Sequence, residues 1–172
     1  FLLWFGWFGF NGFSQLAMGT FDDVNAISKI AVNTHLAGAA GTVAGAAITR
    51  LMAGKTDIVM MLNGALAGLV AITAEPLTPS PLLAILIGFV GALIMYFGTK
   101  FLESLQLDDV VGAIPVHMFA GIFGTLVVPA SNPDTNFGTQ FLGVISVCVF
   151  SFVLSYIVFR TMKATIGLRI SK

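Results

Sequence analysis

The residue with the clearest chemical potential is His117, which lies near the middle of the uncharged apolar run 110–128. An ionisable side chain is costly at the depth of a bilayer core, so it usually faces a helix-bundle interior or a pathway rather than lipid. A neutral imidazole both donates and accepts hydrogen bonds, which suits a small polar solute or a proton relay. The sequence therefore predicts a histidine that meets whatever passes through the membrane.

A second candidate site lies in the first apolar segment, where phenylalanines surround a few polar side chains. Phe10 precedes Ser14 by one helical turn, so both side chains can face one lumen. A phenyl face attracts a cation and a hydroxyl oxygen accepts its hydrogen bond, which together suit a small hydrogen-bonding cation near the outer end of the helix. An aromatic belt at the membrane interface is the alternative interpretation of this helix.

Other chemistries find no support in the residue pattern. No Ser–His–Asp set, catalytic carboxylate pair, metal-ligand cluster or phosphate-binding loop is visible, so we expect no enzyme, no catalytic residue, no metal and no cofactor. Eight basic and eight acidic residues balance without forming a basic stripe, which argues against a nucleic-acid partner. We interpret His35 as a structural hydrogen-bonding residue, Asp108 and Asp109 as helix caps, and Glu75 as a solvated flank.

The elements that must position these residues follow from the composition. The chain is 57% hydrophobic and 9% charged, whereas soluble domains carry about 25% charged residues. Apolar runs near the ~20 residues that span a bilayer as a helix recur along the chain. They predict a single all-α, polytopic domain over 1–172, embedded in a lipid bilayer, with six transmembrane helices at roughly 1–18, 30–51, 58–75, 82–103, 110–128 and 138–160.

Orientation follows from the basic residues. If the first helix runs outward, only Lys29 lies outside, and the cytoplasmic side receives Arg50, Lys55, Lys100, Arg160, Lys163, Arg169 and Lys172. This asymmetry predicts a cytoplasmic C-terminal tail at 161–172. Small residues recur within the helices at spacings that permit close helix contact in lipid, and so predict a compact bundle; they are Gly38, Gly41, Gly45, Gly64, Gly68, Gly121 and Gly124.

Several motifs together resemble the ammonium transporter/methylammonium permease/Rhesus family. They are, in chain order, Trp7-Phe8-Gly9-Phe10-Asn11-Gly12-x-Ser14, Asn33-Thr34-His35-Leu36-Ala37, Asn63-Gly64-x-Leu66-Ala67-Gly68-Leu69-Val70-x-Ile72-Thr73, Asp108-Asp109, Val116-His117, Gly121-x-x-Gly124 and Gly167-Leu168-Arg169-Ile170-Ser171. The resemblance implies an eleven-helix channel fold with two inverted repeats. This chain resembles the second repeat and the final helix, and its start at Phe1 leads us to expect a fragment of a longer protein.

The resemblance also implies roles for individual residues. Phe10 matches the inner of two stacked phenylalanines that close the outer vestibule, and Ser14 matches the serine that helps bind ammonium there. His117 matches the second of two hydrogen-bonded pore histidines, while Trp7 and Asn11 match supporting positions beside the pore. The expected activity is ammonium binding at the vestibule, deprotonation, and conduction of ammonia through an apolar pore. The first histidine, the other gating phenylalanine and the vestibule tryptophan are expected in the half that this chain lacks.

Two positions depart from the family pattern as we read it. Gly112 stands where an acidic residue is usual, five positions before the pore histidine, and Met118 stands where glycine often follows it. We expect both to affect local packing and conduction rate.

The resemblance further implies a homotrimer in the cell membrane and a possible cytoplasmic regulatory protein of the nitrogen-signalling type. Two alternatives remain open: an ammonium-sensing membrane domain of a signalling protein, and a structural, non-conducting bundle.

Overall fold

A computed structural model describes residues 1–168 of the chain, so Arg169 and Lys172, which contribute to the predicted orientation, lie outside the described residues. The predicted all-α class is confirmed. The helices are α1 Leu2–Phe13, α2 Phe21–Ala53, α3 Ile58–Thr73, α4 Pro81–Ser104, a π-helix Ile114–Phe119, α5 Ala120–Val127, a 3-10 turn Val128–Ala130 and α6 Phe137–Thr165.

Three of the described helices are long and apolar enough to cross a membrane by themselves, namely α2, α4 and α6. Two further apolar helical stretches, α3 and Ile114–Ala130, are shorter. The bounds of α3 and α4 closely follow the predicted segments, whereas the other four segments differ from the prediction.

The first two helices have bounds that hydropathy did not predict. The first was expected to reach residue 18 but ends at Phe13, and Leu16 then adopts a left-handed backbone with φ 60°. The second was expected from residue 30 but begins at Phe21. Its start is fixed by a capping box, in which the Thr20 hydroxyl accepts a hydrogen bond from Asp23 N at 3.1 Å and the Asp23 carboxylate accepts one from Thr20 N at 3.0 Å.

The predicted helix 110–128 is not continuous either. Residues 110–112 lie outside regular helix, Gly112 has φ +73°, and a π-helix covers Ile114–Phe119. The last helix continues to Thr165, so the segment predicted as a tail from residue 161 is partly helical.

Close backbone contacts hold α2, α3, α4 and α5 together. A Cβ atom added to Gly41 would collide with the Gly64 carbonyl, and one added to Gly68 or Gly88 would collide with the Ala37 carbonyl. The predicted tight packing through small residues is therefore confirmed at these contacts. In contrast, α6 buries none of its residues against the described part of the chain.

A polar clamp joins two loops at one end of the bundle. The Glu75 carboxylate accepts hydrogen bonds from Leu77 N at 3.2 Å, Thr78 N at 3.3 Å and Asn132 Nδ2 at 2.8 Å. The interpretation of Glu75 as a solvated flank is therefore wrong, because the side chain is half-buried and links the segment after α3 to the segment after the 3-10 turn.

Candidate functional site

An open groove of about 590 Å³ lies between α1, α3, the π-helix and α5. It brings together Trp7, Phe10 and His117, three residues that the sequence placed at the pore. The lining is mostly apolar; its residues are Leu2, Leu3, Gly6, Trp7, Phe10, Val70, Thr73, Ala74, His117, Gly121 and Thr125. Such a surface favours uncharged solutes, because desolvation penalises an ion far more than a small neutral molecule.

A hydrogen-bond chain orients Trp7 in this groove. Its indole Nε1 donates to the Thr73 hydroxyl at 2.7 Å, and that hydroxyl donates to the Leu69 carbonyl at 2.7 Å. Because the Thr73 proton is engaged by Leu69, the lone pairs of the hydroxyl are left to accept from Trp7. The Trp7 ring meets Phe10 edge-on, with centroids 6.0 Å apart and planes at 69°.

Phe10 and Ser14 lie together at the end of α1. Phe10 is 64% exposed in this chain and lines both the groove and a neighbouring shallow depression that Ser14 also lines. The Ser14 hydroxyl donates to the Phe10 carbonyl at 2.9 Å, so its lone pairs are free to accept from a solute. Ser14 is not among the residues that line the groove itself.

Asn11 lies behind the groove rather than in it. The side chain is 1% exposed, and its amide donates to the hydroxyl of fully buried Thr34 at 3.0 Å. This bond ties α1 to α2, and so Asn11 supports the helix that carries Trp7 and Phe10.

His117 projects from the π-helix into the groove and is exposed within this chain. A π-helix places one extra residue in its turn, and such turns occur frequently at functional sites. The Asp109 carboxylate accepts hydrogen bonds from Ala113 N at 2.9 Å and Ile114 N at 2.8 Å, so the predicted capping role is confirmed for Asp109.

His35 lies away from the groove. Its ring contacts Trp4, with centroids 5.5 Å apart, and stacks on Phe8 at 6.2 Å. Sequence reasoning missed Thr73 and Thr125, two hydroxyl residues of the groove. Thr73 stood within a quoted motif, but threonine in an apolar helix ordinarily bonds only to its own backbone, and the sequence carries no signal for its contact with Trp7.

The sequence profile described as the Ammonium Transporter Family matches residues 1–172. The chain belongs to this family. Among curated relatives, the ammonium transporter Amt2 of Archaeoglobus fulgidus is 39% identical over 99% of this chain and 40% of its own length. A putative ammonium transporter of Synechocystis sp. is 39% identical over 94% of this chain and 38% of its own length.

Solved structures of the family share the fold. A protein described as a sensor Amt protein superposes with a TM-score of 0.89 at 32% identity, covering 98% of this chain and 44% of that one. Mep2 of Candida albicans superposes with a TM-score of 0.87 at 26% identity, covering 99% of this chain and 41% of that one. The predicted family and the polytopic membrane class are thereby confirmed. The chain spans about two fifths of the length of the relatives it matches.

Proposed function

We propose that the protein containing this chain transports ammonium across the cell membrane. The observation that carries the proposal is the groove in which Trp7, Phe10 and His117 share an otherwise largely apolar surface. Curated relatives named as ammonium transporters support the same substrate. The chain itself supplies a hydrogen-bonding residue for each stage of the path: Ser14 at the mouth and His117 in the interior.

At the mouth, Phe10 and Ser14 would bind the ammonium ion. The exposed ring offers a π face, which contributes about 0.5–1 kcal/mol to a cation at an exposed site. The Ser14 hydroxyl donates to a backbone carbonyl and so retains acceptor capacity for an N–H of the ion. Together the two groups would raise the local concentration of ammonium beside the mostly apolar groove.

Inside the groove, an intact ion is disfavoured. A charged side chain at mid-membrane costs about 2.5–3.5 kcal/mol on insertion scales, and a small ion meets the same physical penalty. Loss of a proton to solvent or to a relay converts the ion to ammonia, which crosses apolar surface at lower cost. His117 then offers ammonia a donor or acceptor partway along the path.

The proposal also covers residues that this chain does not contain and the assembly in which it works. We propose that a second histidine, the other gating phenylalanine and the vestibule tryptophan come from the portion of the relatives that lies outside the matched two fifths. We also propose a homotrimer with one pore per subunit, a cytoplasmic C-terminus and a possible cytoplasmic regulatory protein.

The sensor alternative has its own observation, the likeness to a protein described as a sensor Amt protein. A sensor would bind ammonium at Phe10 and Ser14 without steady flux. The two functions differ in a single measurement: the flux of ammonium through the purified protein.

That measurement uses the full-length protein in liposomes that contain a pH-sensitive dye, with an imposed ammonium gradient. A transporter produces a saturable pH or current response that exceeds that of protein-free liposomes and persists in excess potassium. Ammonium-dependent stabilisation of the protein without any flux would instead favour the sensor. The absence of both flux and stabilisation would contradict both proposals.

A further inference from the structure

We infer that Asn63 is a positioning residue for His117, which is a role separate from lining the groove. This inference rests on the proposed function, because it concerns how the pore histidine is held. Asn63 lies near the start of α3 and is not among the residues that line the groove. Its amide Nδ2 donates to the Val111 carbonyl at 3.0 Å, six positions before His117 in the chain.

The Val111 carbonyl lies in the turn just before the helix, so the backbone ladder of that helix does not provide its hydrogen bond. The i→i−4 bond at this helix start runs from Val116 N to the Gly112 carbonyl, one residue further on, and Pro115 has no N–H that could donate to Val111. The Asn63 amide therefore supplies from α3 the hydrogen bond that the local backbone cannot make.

Several backbone donors at this helix start have partners within the same segment. Asp109 accepts from Ala113 N and Ile114 N, and Val116 N donates to the Gly112 carbonyl at 3.2 Å. These bonds fix the segment internally but do not fix it relative to α3. The contact from Asn63 is the polar link that ties it to α3, the helix that also carries Thr73.

Gly112 makes room for this link. A Cβ atom at position 112 would lie 2.8 Å from Asn63 Nδ2. Gly112 also has φ +73°, a backbone conformation in which residues other than glycine are strained. The departure from an acidic residue at this position therefore has a structural reason, because any side chain here would displace the Asn63 amide.

The consequence for His117 follows from the wide turn that comes next. Ala120 N donates to the Pro115 carbonyl five residues earlier, the spacing of a π-helix, and His117 lies inside this turn. A shift at Val111 would rotate or slide the turn and move the imidazole relative to Trp7 and Phe10, which lie on a different helix. Asn63 would thus control discrimination between solutes through the placement of His117.

The test compares Asn63→Leu with the parent protein, using full-length protein in liposomes and the ratio of ammonium to methylammonium flux. Leucine preserves approximate size and removes the donor. We expect the ratio to change about fivefold, the size of effect associated with one lost hydrogen bond. In the His117→Ala background the same substitution should leave the ratio unchanged, because the residue that it positions is gone.

Asn33→Leu is the matched control. The Asn33 amide likewise donates to backbone carbonyls of another segment, those of Pro76 and Pro79 at 2.9 Å each, but that loop does not carry His117. Asn33 is buried, whereas Asn63 is half-buried. The Asn33→Leu substitution should lower the melting temperature and leave the ratio of ammonium to methylammonium flux of the folded protein unchanged. If Asn63→Leu does not fold, Asn63→Asp removes the donor in a side chain of equal size and is judged by the same criteria.

Three results would overturn the inference. One is an Asn63 variant with lower stability and an unchanged flux ratio, which indicates packing alone. Another is an equal change of ratio with and without His117, which indicates a different route. If His117→Ala itself leaves the ratio unchanged, the pore assignment fails together with the inference; if only the Asn63 variants are silent, the pore assignment stands and the positioning role alone is rejected.

Discussion

At the scale of single residues, a buried polar pair holds α1, the helix that carries Trp7 and Phe10, in place. Thr34→Val removes the acceptor of the Asn11 amide while keeping the side-chain volume, and both residues are buried. The orphaned donor should lower the free energy of unfolding by about 1–3 kcal/mol. Thermal unfolding of the purified full-length protein measures this, with Ser14→Ala as an exposed control that should change stability little. Equal melting temperatures for Thr34→Val and the parent would contradict the assignment.

Thr73 tests the orientation of Trp7 at the same scale. Thr73→Val removes the hydroxyl that accepts from the indole at 2.7 Å, and the freed ring can turn within the groove. We expect a higher apparent KM for ammonium with smaller change in stability, because Trp7 is only partly buried. Flux at several ammonium concentrations provides the measurement. Thr42→Val is a suitable control, since the Thr42 hydroxyl donates only to the Gly38 carbonyl of its own helix.

At the scale of the elements, glycine contacts set the spacing of the helices. Gly41→Ala would place a methyl group against the Gly64 carbonyl on α3, an overpacked contact of a kind that costs about 1–3 kcal/mol. Thermal unfolding should show a clear loss of stability. Gly12→Ala is the matched control, because its methyl group would lie 3.7 Å from Ile27, an ordinary contact distance. Equal stability of the two variants would argue against close α2–α3 packing as a major contribution.

The elements also show what sequence patterns can and cannot predict. Hydropathy located α3 and α4 closely because their apolar runs nearly coincide with their helical bounds. The start of α2 was missed although Thr20 and Asp23 form a readable capping box, because hydropathy weighs polarity rather than hydrogen bonding. The π-helix was missed for a different reason: it accompanies a tertiary bond from Asn63 to Val111, which has no local signature in the sequence.

The site was predictable to a similar, partial extent. The resemblance named Trp7, Phe10 and His117, and the structure places all three around one groove. It did not identify Thr73 or the clamp around Glu75, since both depend on which loops and helices meet in three dimensions.

At the scale of the whole molecule, the two ends of the bundle can be told apart. Glu75 and Asn132 bond to each other at one end, so the loop that contains Thr135 lies on the same side as the α3–α4 loop. Lys55 lies between α2 and α3, at the other end of α3. The predicted orientation therefore makes Thr135 external and Lys55 cytoplasmic.

Cysteine labelling tests this orientation in intact cells, using Thr135→Cys and Lys55→Cys in a protein whose native Cys148 is replaced by serine. A membrane-impermeant maleimide should label position 135 from outside and position 55 only after the membrane is opened. The reverse pattern would invert the topology and place the C-terminus outside. The parent carrying only Cys148→Ser provides the background signal.

The central claim is that ammonia passes His117, and the most direct measurement is ammonium flux through full-length His117→Ala in liposomes, normalised to folded protein. Alanine fits a helix and removes a polar group, so the variant should still fold. We predict altered ammonium flux or altered discrimination against potassium, because the imidazole that lines the groove is lost. His35→Ala, which removes a histidine outside the groove, should retain the flux and selectivity of the parent. Unchanged rate and selectivity in His117→Ala would contradict the account.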